Sequence, residues 1–308
     1  MSVSFDGKVA IVTGSGNGLG RSHALAIAAR GAKVVVNDLG GDRNGIGSSN
    51  EAAREVVATI EAAGGEAIAS EANVADYAEV ESMVDQAMDK WGRVDILINN
   101  AGILRDKSFA KMDLDDFRLV MDVHLMGSVN CCKAVWEIMK EQNYGRIVMT
   151  TSPSGLFGNF GQTNYGAAKM AVIGLMNTLV LEGSKYNIQI NALAPTAGTR
   201  MTEDIIPPPV LKLMTTEAVT AGALILCHDE APNKMILAAS AGGYASVKMF
   251  ETDGIFLSPA EQRPENVFEN LNSINDTAIN VPLESAGKET EKFVSKAMAY
   301  VQSLQSSQ

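Results

Sequence analysis

Val9-Ala10-Ile11-Val12-Thr13-Gly14-Ser15-Gly16-Asn17-Gly18-Leu19-Gly20 decides the fold. Its first five residues form a short apolar run of the kind that makes a strand buried on both faces of a parallel sheet. The glycines at 14, 18 and 20 then allow a tight turn and a close approach of backbone to a pyrophosphate, whose charge the N-terminus of a following helix favours. That helix is read from the Ala-rich stretch 21–30. A second strand, Lys33-Val34-Val35-Val36-Asn37-Asp38, comes next and ends in an acid. A carboxylate about twenty residues past such a loop binds ribose hydroxyls and repels a 2′-phosphate. Gly14, Ser15, Asn17, Gly18, Leu19, Gly20 and Asp38 are therefore candidates for holding a dinucleotide, with NAD expected rather than NADP.

Outward from this stretch the chain alternates strand and helix, with strands expected near 8–13, 33–38, 66–70, 94–99, 145–151, 188–193 and 234–238. Such alternation gives a Rossmann-type α/β fold, a doubly wound parallel seven-stranded sheet in a three-layer αβα sandwich. Right-handed crossovers place the ligand crevice at the C-terminal strand ends, where Gly14, Asp38, Asn100 and Ser152 fall.

Tyr165 and Lys169 form a Tyr-x-x-x-Lys pair thirteen residues after Ser152. Residues four apart share a helix face about 5.4 Å apart, so the Lys169 ammonium is expected to favour the Tyr165 phenolate. A free tyrosine, with pKa about 10, is a poor base near neutrality. A downward shift of roughly two or three units makes it a working acid/base. Ser152 would stabilise charge developing on a substrate oxygen. Alone, the pair is a common helix-face pattern; its weight comes from the loop that precedes it.

Thr13-Gly14-x-x-x-Gly18-x-Gly20, Asn99-Asn100-Ala101-Gly102, Ser152 and Tyr165-x-x-x-Lys169 occur in the order found in the short-chain dehydrogenase/reductase family, which the chain resembles. The resemblance implies that Asn100, Ala101 and Gly102 pass close to the nicotinamide riboside. It also implies that Asn73 and Val74 meet the adenine, where relatives usually carry Asp, and that Pro195, Ala197 and Thr199 meet the carboxamide. Lys169 would also bind the cofactor ribose. One position departs: the usual asparagine of the catalytic set is His124. In relatives that asparagine works chiefly through its backbone carbonyl, so His124 stays a catalytic candidate, although a lone helical histidine is more often a satisfied core residue. Longer strings, Asn37–Asp42, Gly102–Asp106, Gly158–Gln162 and Ala194–Thr202, are similar to the (3R)-hydroxyacyl-CoA dehydrogenase module of peroxisomal multifunctional β-oxidation enzymes. They imply oxidation of a (3R)-3-hydroxyacyl-CoA to the 3-oxoacyl-CoA, and a homodimer or homotetramer is expected. Alternatives are a dehydrogenase of a steroid or other secondary alcohol, a 3-oxoacyl reductase, and a dinucleotide-binding regulator without turnover.

The likeness covers roughly residues 5–250 of 308, giving an expected NAD-binding domain over 1–250 and an extension over 251–308. Phe293, Val294, Ala297, Tyr300, Val301 and Leu304 fall on one helical stripe in that extension. The long, apolar, Pro-stiffened segment 196–213 is the expected substrate cover. Arg105, Lys107 and Arg200 are candidates for coenzyme A phosphates, though solvated surface is the commoner role of such residues. The Gly/Ser/Asn-rich loop 39–50 can cap the adenine side or simply connect, with plain connection the favoured reading. A formal charge of -11 argues against nucleic acid or an anionic membrane surface as partner. Cys131, Cys132 and Cys227 show neither disulfide nor metal spacing and read as reduced core thiols. No basic, apolar leader precedes the first strand, no apolar stretch is expected to reach the ~20 residues of a membrane span, and the terminal Ser306-Ser307-Gln308 lacks a Ser-Lys-Leu type address. The expected location is cytoplasmic.

Overall fold

The computed structural model describes residues 3–198 and 207–306. The chain divides into two compact units, Met1–Ser246 and Val247–Gln308.

In the first unit, seven parallel strands run β1 (Val9–Thr13), β2 (Lys33–Asn37), β3 (Ala67–Ser70), β4 (Ile96–Asn99), β5 (Gly145–Thr150), β6 (Ile188–Thr196) and β7 (Ile236–Ser240), in spatial order β3-β2-β1-β4-β5-β6-β7. An eighth strand, β8 (Gly243–Val247), adds to the β7 edge, so the sheet has one strand more than expected. Its residues are mostly exposed and carry no apolar run, which is why alternation alone did not reveal it. Every residue of β1, β4 and β5 is buried, as strands covered by helices on both faces must be.

Helices α1 (Gly18–Ala28) and α2 (Glu51–Ala62) follow β1 and β2, and α3 (Tyr77–Trp91) follows β3. Between β4 and β5 the chain forms α4 (Leu114–Met121), a π-helical segment over Asp122–Met126 and α5 (Gly127–Gln142). Next come α6 (Pro153–Phe157) and α7 (Thr163–Gly183), then α8 (Pro208–Leu211) and α9 (Thr216–Cys227). Helices α1, α2 and α9 cover one face, where Ile27, Val56, Val219 and Leu226 join Val34, Ile96 and Leu193 in one core. Helices α3, α5 and α7 cover the other. Local chemistry fixes several ends: Asp76 caps α3 by accepting from Ala78 and Glu79 N–H, and Gly92 stops it at φ 71°.

Contrary to the sequence expectation, Pro209–Cys227 is long and apolar enough to cross a membrane, with 19 residues at mean hydropathy 1.6. Its two helices are separate, however, and Val219, Ala223, Leu224 and Leu226 are core residues beneath the sheet. The three cysteines are free and buried, and burial pushes all three thiols up. The loop 39–50 is more than a connection: its Arg43 carbonyl accepts from Leu104 N–H at 2.9 Å and its Asn44 carbonyl from Arg105 Nε at 2.7 Å.

In the second unit, β9 (Glu251–Thr252) pairs antiparallel with β10 (Asn280–Val281). Helices α10 (Pro264–Glu269) and α11 (Leu271–Ile274) lie between them in sequence, and α12 (Ala286–Ser306) ends the unit. The expected stripe lies on α12, whose Tyr300 ring meets Phe256 at 5.5 Å. Lys292 binds Glu251, and Lys296 pairs with Asp253 at 2.9 Å.

Candidate active site

The strand order reverses between β1 and β4, because the chain builds β1-β2-β3 in one direction and returns to β4 on the other side of β1. A crevice opens where adjacent strands carry their loops to opposite sides, at the C-terminal ends of β1 and β4. Thr13 ties these two ends together. Its Oγ1 accepts from the N–H groups of Asn100 (3.0 Å) and Ala101 (3.1 Å), while Asn100 Nδ2 donates to the carbonyls of Thr13 and Gly14, both at 2.9 Å. A Cβ on Gly14 would lie 2.7 Å from Ala101 Cα, and one on Gly20 would lie 2.5 Å from Asn100 Nδ2. The glycine loop is therefore closed down on the Asn100 turn, and glycine is needed for that packing as well as for φ values of 62° at Gly14 and 54° at Gly18.

The loop also suits an anion. Asn17 at the N-cap of α1 makes no side-chain cap bond, and no acid stands in the first turn, so the helix presents its leading N–H groups uncapped. Ser15 turns inward, its Oγ donating to Val12 O at 2.7 Å, and serves the loop's shape. Leu19 packs against the core, as its neighbour Gly20 is buried. Asp38 ends β2 as expected, and its carboxylate grips the loop backbone: Oδ2 accepts from Gly16 N–H and Oδ1 from Gly40 N–H, both at 2.7 Å. A carboxylate oxygen has two lone-pair sites, so each retains capacity for a ribose hydroxyl. These features fit the adenosine and pyrophosphate of a dinucleotide.

The flanking candidates are placed less uniformly. Val74 is buried after β3, with its carbonyl accepting from Asn130 Nδ2. Asn73 folds back on its own turn, its Oδ1 accepting from Ala75 N–H at 3.0 Å. Pro195 lies in β6 and Ala197 is buried just beyond it. Thr199, Arg200 and Met201 lie outside the described residues.

Ser152 follows β5 and is the N-cap of α6, where its Oγ accepts from Ser154 N–H at 3.1 Å. Tyr165 and Lys169 stand on the first turns of α7. Burial raises the Tyr165 pKa to about 12, the nearby Ser152 hydroxyl opposes the rise, and the Asp106 charge adds to it. Burial also lowers Lys169 to about 7. The sequence expectation was that Lys169 favours the Tyr165 phenolate and lowers its pKa; the shift is upward instead, because burial outweighs the other effects. Lys169 Nζ donates to Thr150 O at 2.7 Å and lies 5.5 Å from the Tyr165 ring centre. Removal from water penalises the phenolate and the ammonium alike, and both neutral forms gain.

His124 sits in the π-helical segment and packs edge-on to Tyr165, with ring centres 5.2 Å apart. Its Nε2 lies 2.8 Å from Ile103 O and 3.1 Å from Ile103 N, and its Nδ1 is buried without a partner. Burial, then the nearby Lys169, hold its pKa well below the usual histidine range. The ring thus props the Asn100 turn from behind as a neutral group, while the His124 carbonyl accepts from Ser128 Oγ at 2.7 Å. Arg105 and Lys107 both pair with Asp116, at 3.1 and 2.9 Å, which answers their charge inside the protein.

Glycine loop, terminal acid and Ser152 follow the C-terminal ends of β1, β2 and β5, and the short chain dehydrogenase family model matches residues 8–208. The chain belongs to this family. It is 46% identical over 275 residues to the peroxisomal multifunctional enzyme type 2 of Mus musculus, covering 88% of this chain and 37% of that protein. Among solved structures it is similar to full-length peroxisomal multifunctional enzyme type 2 from Drosophila melanogaster, with TM-score 0.80 and 37% identity over 97% of this chain and 51% of that one. It is also similar to a 7α-hydroxysteroid dehydrogenase solved with NADH and 7-oxo glycochenodeoxycholic acid, with TM-score 0.70 and 31% identity over 78% of this chain and 95% of that one. The chain thus spans between about a third and a half of the two multifunctional relatives. Family membership makes it an oxidoreductase with a nicotinamide dinucleotide site. The sequence reading missed Thr13 as the joint of the crevice and Thr150 as the carbonyl partner of Lys169; both contacts cross between segments far apart in sequence, and no local spacing reports them.

Proposed function

We propose that the protein is an NAD-dependent dehydrogenase that oxidises (3R)-3-hydroxyacyl-CoA to 3-oxoacyl-CoA. The observation that carries the reading is the buried Tyr165 with Lys169 Nζ 5.5 Å from its ring centre and the buried Ser152 at the end of β5, beside the turn that Asn100 and the glycine loop build. Gly14, Gly18, Gly20 and Asp38 would hold the dinucleotide, and the nicotinamide when bound accepts the hydride. Ser152 orients the substrate oxygen and stabilises charge on it. Tyr165 Oη takes the hydroxyl proton. To do so it must be ionised, and the phenolate–ammonium arrangement of Tyr165 and Lys169 has the same proton count as the neutral pair. An internal proton shift, driven when charge enters the crevice, therefore prepares the base without exchange with solvent.

Asp38 supports NAD over NADP, because its carboxylate stands where a 2′-phosphate would be repelled. The acyl-CoA assignment is supported by the Gly158–Gln162 and Ala194–Thr202 strings and by the multifunctional relatives. A second reading, oxidation of a steroid hydroxyl, is favoured by the 7α-hydroxysteroid dehydrogenase likeness. Initial rates with NAD and each enantiomer of a 3-hydroxyacyl-CoA decide between them. Preference for (3R) is expected; equal rates, preference for (3S), or turnover of a steroid alcohol alone would reject the first reading. We also propose self-association, supported by the exposed Met170 and Leu181 on α7, and a reducing cytoplasmic setting, supported by the three free thiols. Light scattering and cell fractionation test these two.

A further inference from the structure

Ser152 ends the segment after β5 and Tyr165 stands on the first turn of α7, so their relative placement depends on what ties those segments together. One side chain does so at three points. Gln162, in the turn before α7, accepts through Oε1 from Ser154 Oγ at 2.8 Å and from Asn159 Nδ2 at 2.9 Å, and donates through Nε2 to Asp106 Oδ2 at 2.7 Å. Ser154 is one link from Ser152, to whose Oγ its N–H donates. The Gln162 carbonyl accepts from Gly166 N–H at 2.7 Å, in the helical turn that carries Tyr165. Asp106 belongs to the segment after β4, which meets the same turn again through Lys107 N–H to Gly161 O and Asn164 Nδ2 to Arg105 O, both at 3.0 Å.

We propose that Gln162 is a positioning residue for the reaction: by joining the segments after β4 and β5 to the start of α7, it fixes the Ser152 hydroxyl against Tyr165. The inference rests on Ser152 and Tyr165 acting on the substrate as described above. An amide suits the place because it must accept on one side, from Ser154 and Asn159, and donate on the other, to a carboxylate. A bond to an ionised acceptor is also stronger than a neutral one. Arg105 and Lys107 are engaged by Asp116 and do not take over this carboxylate. The Asp106 charge contributes to the raised Tyr165 pKa.

The polarity of the joint supplies its test. Gln162→Glu sets two carboxylates against each other at Asp106. Adding Asp106→Asn supplies a donor there, so the carboxylate at 162 can accept from all three partners, the bond to position 106 is remade with its direction reversed, and the total charge returns to that of the wild type. With the alcohol that the wild type oxidises fastest, Gln162→Glu is expected to lose about a hundredfold in kcat, the scale of an ångström's misplacement. NADH affinity and thermal midpoint should stay near wild type, because neither the glycine loop nor the core is touched. The double variant should regain most of the lost kcat. Gln162→Met, uncharged and similar in volume, should lose kcat and gain nothing from Asp106→Asn. The inference is overturned if Gln162→Glu and Gln162→Met both keep wild-type kcat, or if the double variant stays as slow as Gln162→Glu. A wild type that oxidises no alcohol overturns the functional reading and this inference with it, whereas an active wild type with unaffected variants overturns this inference alone.

Discussion

Gly102→Ala is expected to destabilise the protein through one side chain. A Cβ at Gly102 would lie 3.0 Å from His124 Nδ1 and 3.2 Å from Nε2, and closer still to Cε1. The backbone at Gly102 is not in the left-handed region, so alanine meets no conformational penalty and the whole cost falls on the ring. His124 is 3% exposed and cannot move aside freely. Pushing it back sacrifices the 2.8 Å contact between its Nε2 and Ile103 O. Overpacking at roughly 1–3 kcal/mol plus a lost hydrogen bond at roughly 0.5–1.5 kcal/mol gives about 1.5–4.5 kcal/mol. His124→Ala alone should cost about as much by leaving a cavity. In that background Gly102→Ala should be nearly neutral, because its methyl enters the space the ring vacated. The expected coupling therefore equals nearly the whole cost, about 1.5–4.5 kcal/mol, at or above the upper end for residues in contact. Urea unfolding followed by tryptophan fluorescence measures it, since Trp91 and Trp136 both report on the first unit. Equal costs of Gly102→Ala in the two backgrounds would show that something other than the ring requires glycine.

Tyr165→Phe should abolish turnover while leaving NADH binding nearly intact, whereas Lys169→Ala should damage both; initial rates and NADH fluorescence titration check this, and an active Phe variant would move the acid/base elsewhere. The kcat/KM for NAD should exceed that for NADP, and Asp38→Ala should narrow the ratio; a wild type that favours NADP would remove the role given to Asp38. Burial lowers His23 to about 4, with its Nδ1 2.8 Å from Thr220 Oγ1, so below about pH 6.5 the unfolded chain takes up a proton that the native state refuses. Stability attributable to His23 is thus present above pH 6.5 and lost as pH falls toward 4, by up to about 3 kcal/mol. The difference in unfolding free energy between wild type and His23→Leu should carry this slope, and a flat difference would contradict it.

Much of the sheet was legible because buried parallel strands are written as short apolar runs, and β1, β2, β4 and β5 each read that way. The glycine turn was equally open, since glycines at a strand end mark a tight turn, and the structure closes that turn on Asn100 and Ala101. β8 was not legible, because an exposed edge strand needs no apolar pattern. Nor were the ionisation states of Tyr165 and Lys169. Spacing shows that two groups can be neighbours, but it does not show how much water both lose, and that loss dominates here. The Gln162 joint was hidden for a related reason: its partners are 8 and 56 residues away, and three segments must be folded before an amide at 162 means anything.

The π-helical segment Asp122–Met126 carries a consequence for how this region tolerates insertions and deletions. A wide turn holds one residue more than an α-helical path would, so it acts as a phase shifter between the two helices it joins. Helix α4 packs on α7, while α5 packs on α3 and β4. Deleting one residue between 122 and 126 would leave a regular helix and yet turn α4 by about 100° relative to α5. Val120, now fully buried beside Ala168 and Ile103, would rotate away from the helix that bears Tyr165. A backbone that looks smoother would thus have lost its alignment, and the irregular turn is what lets one continuous rod face two different neighbours at once.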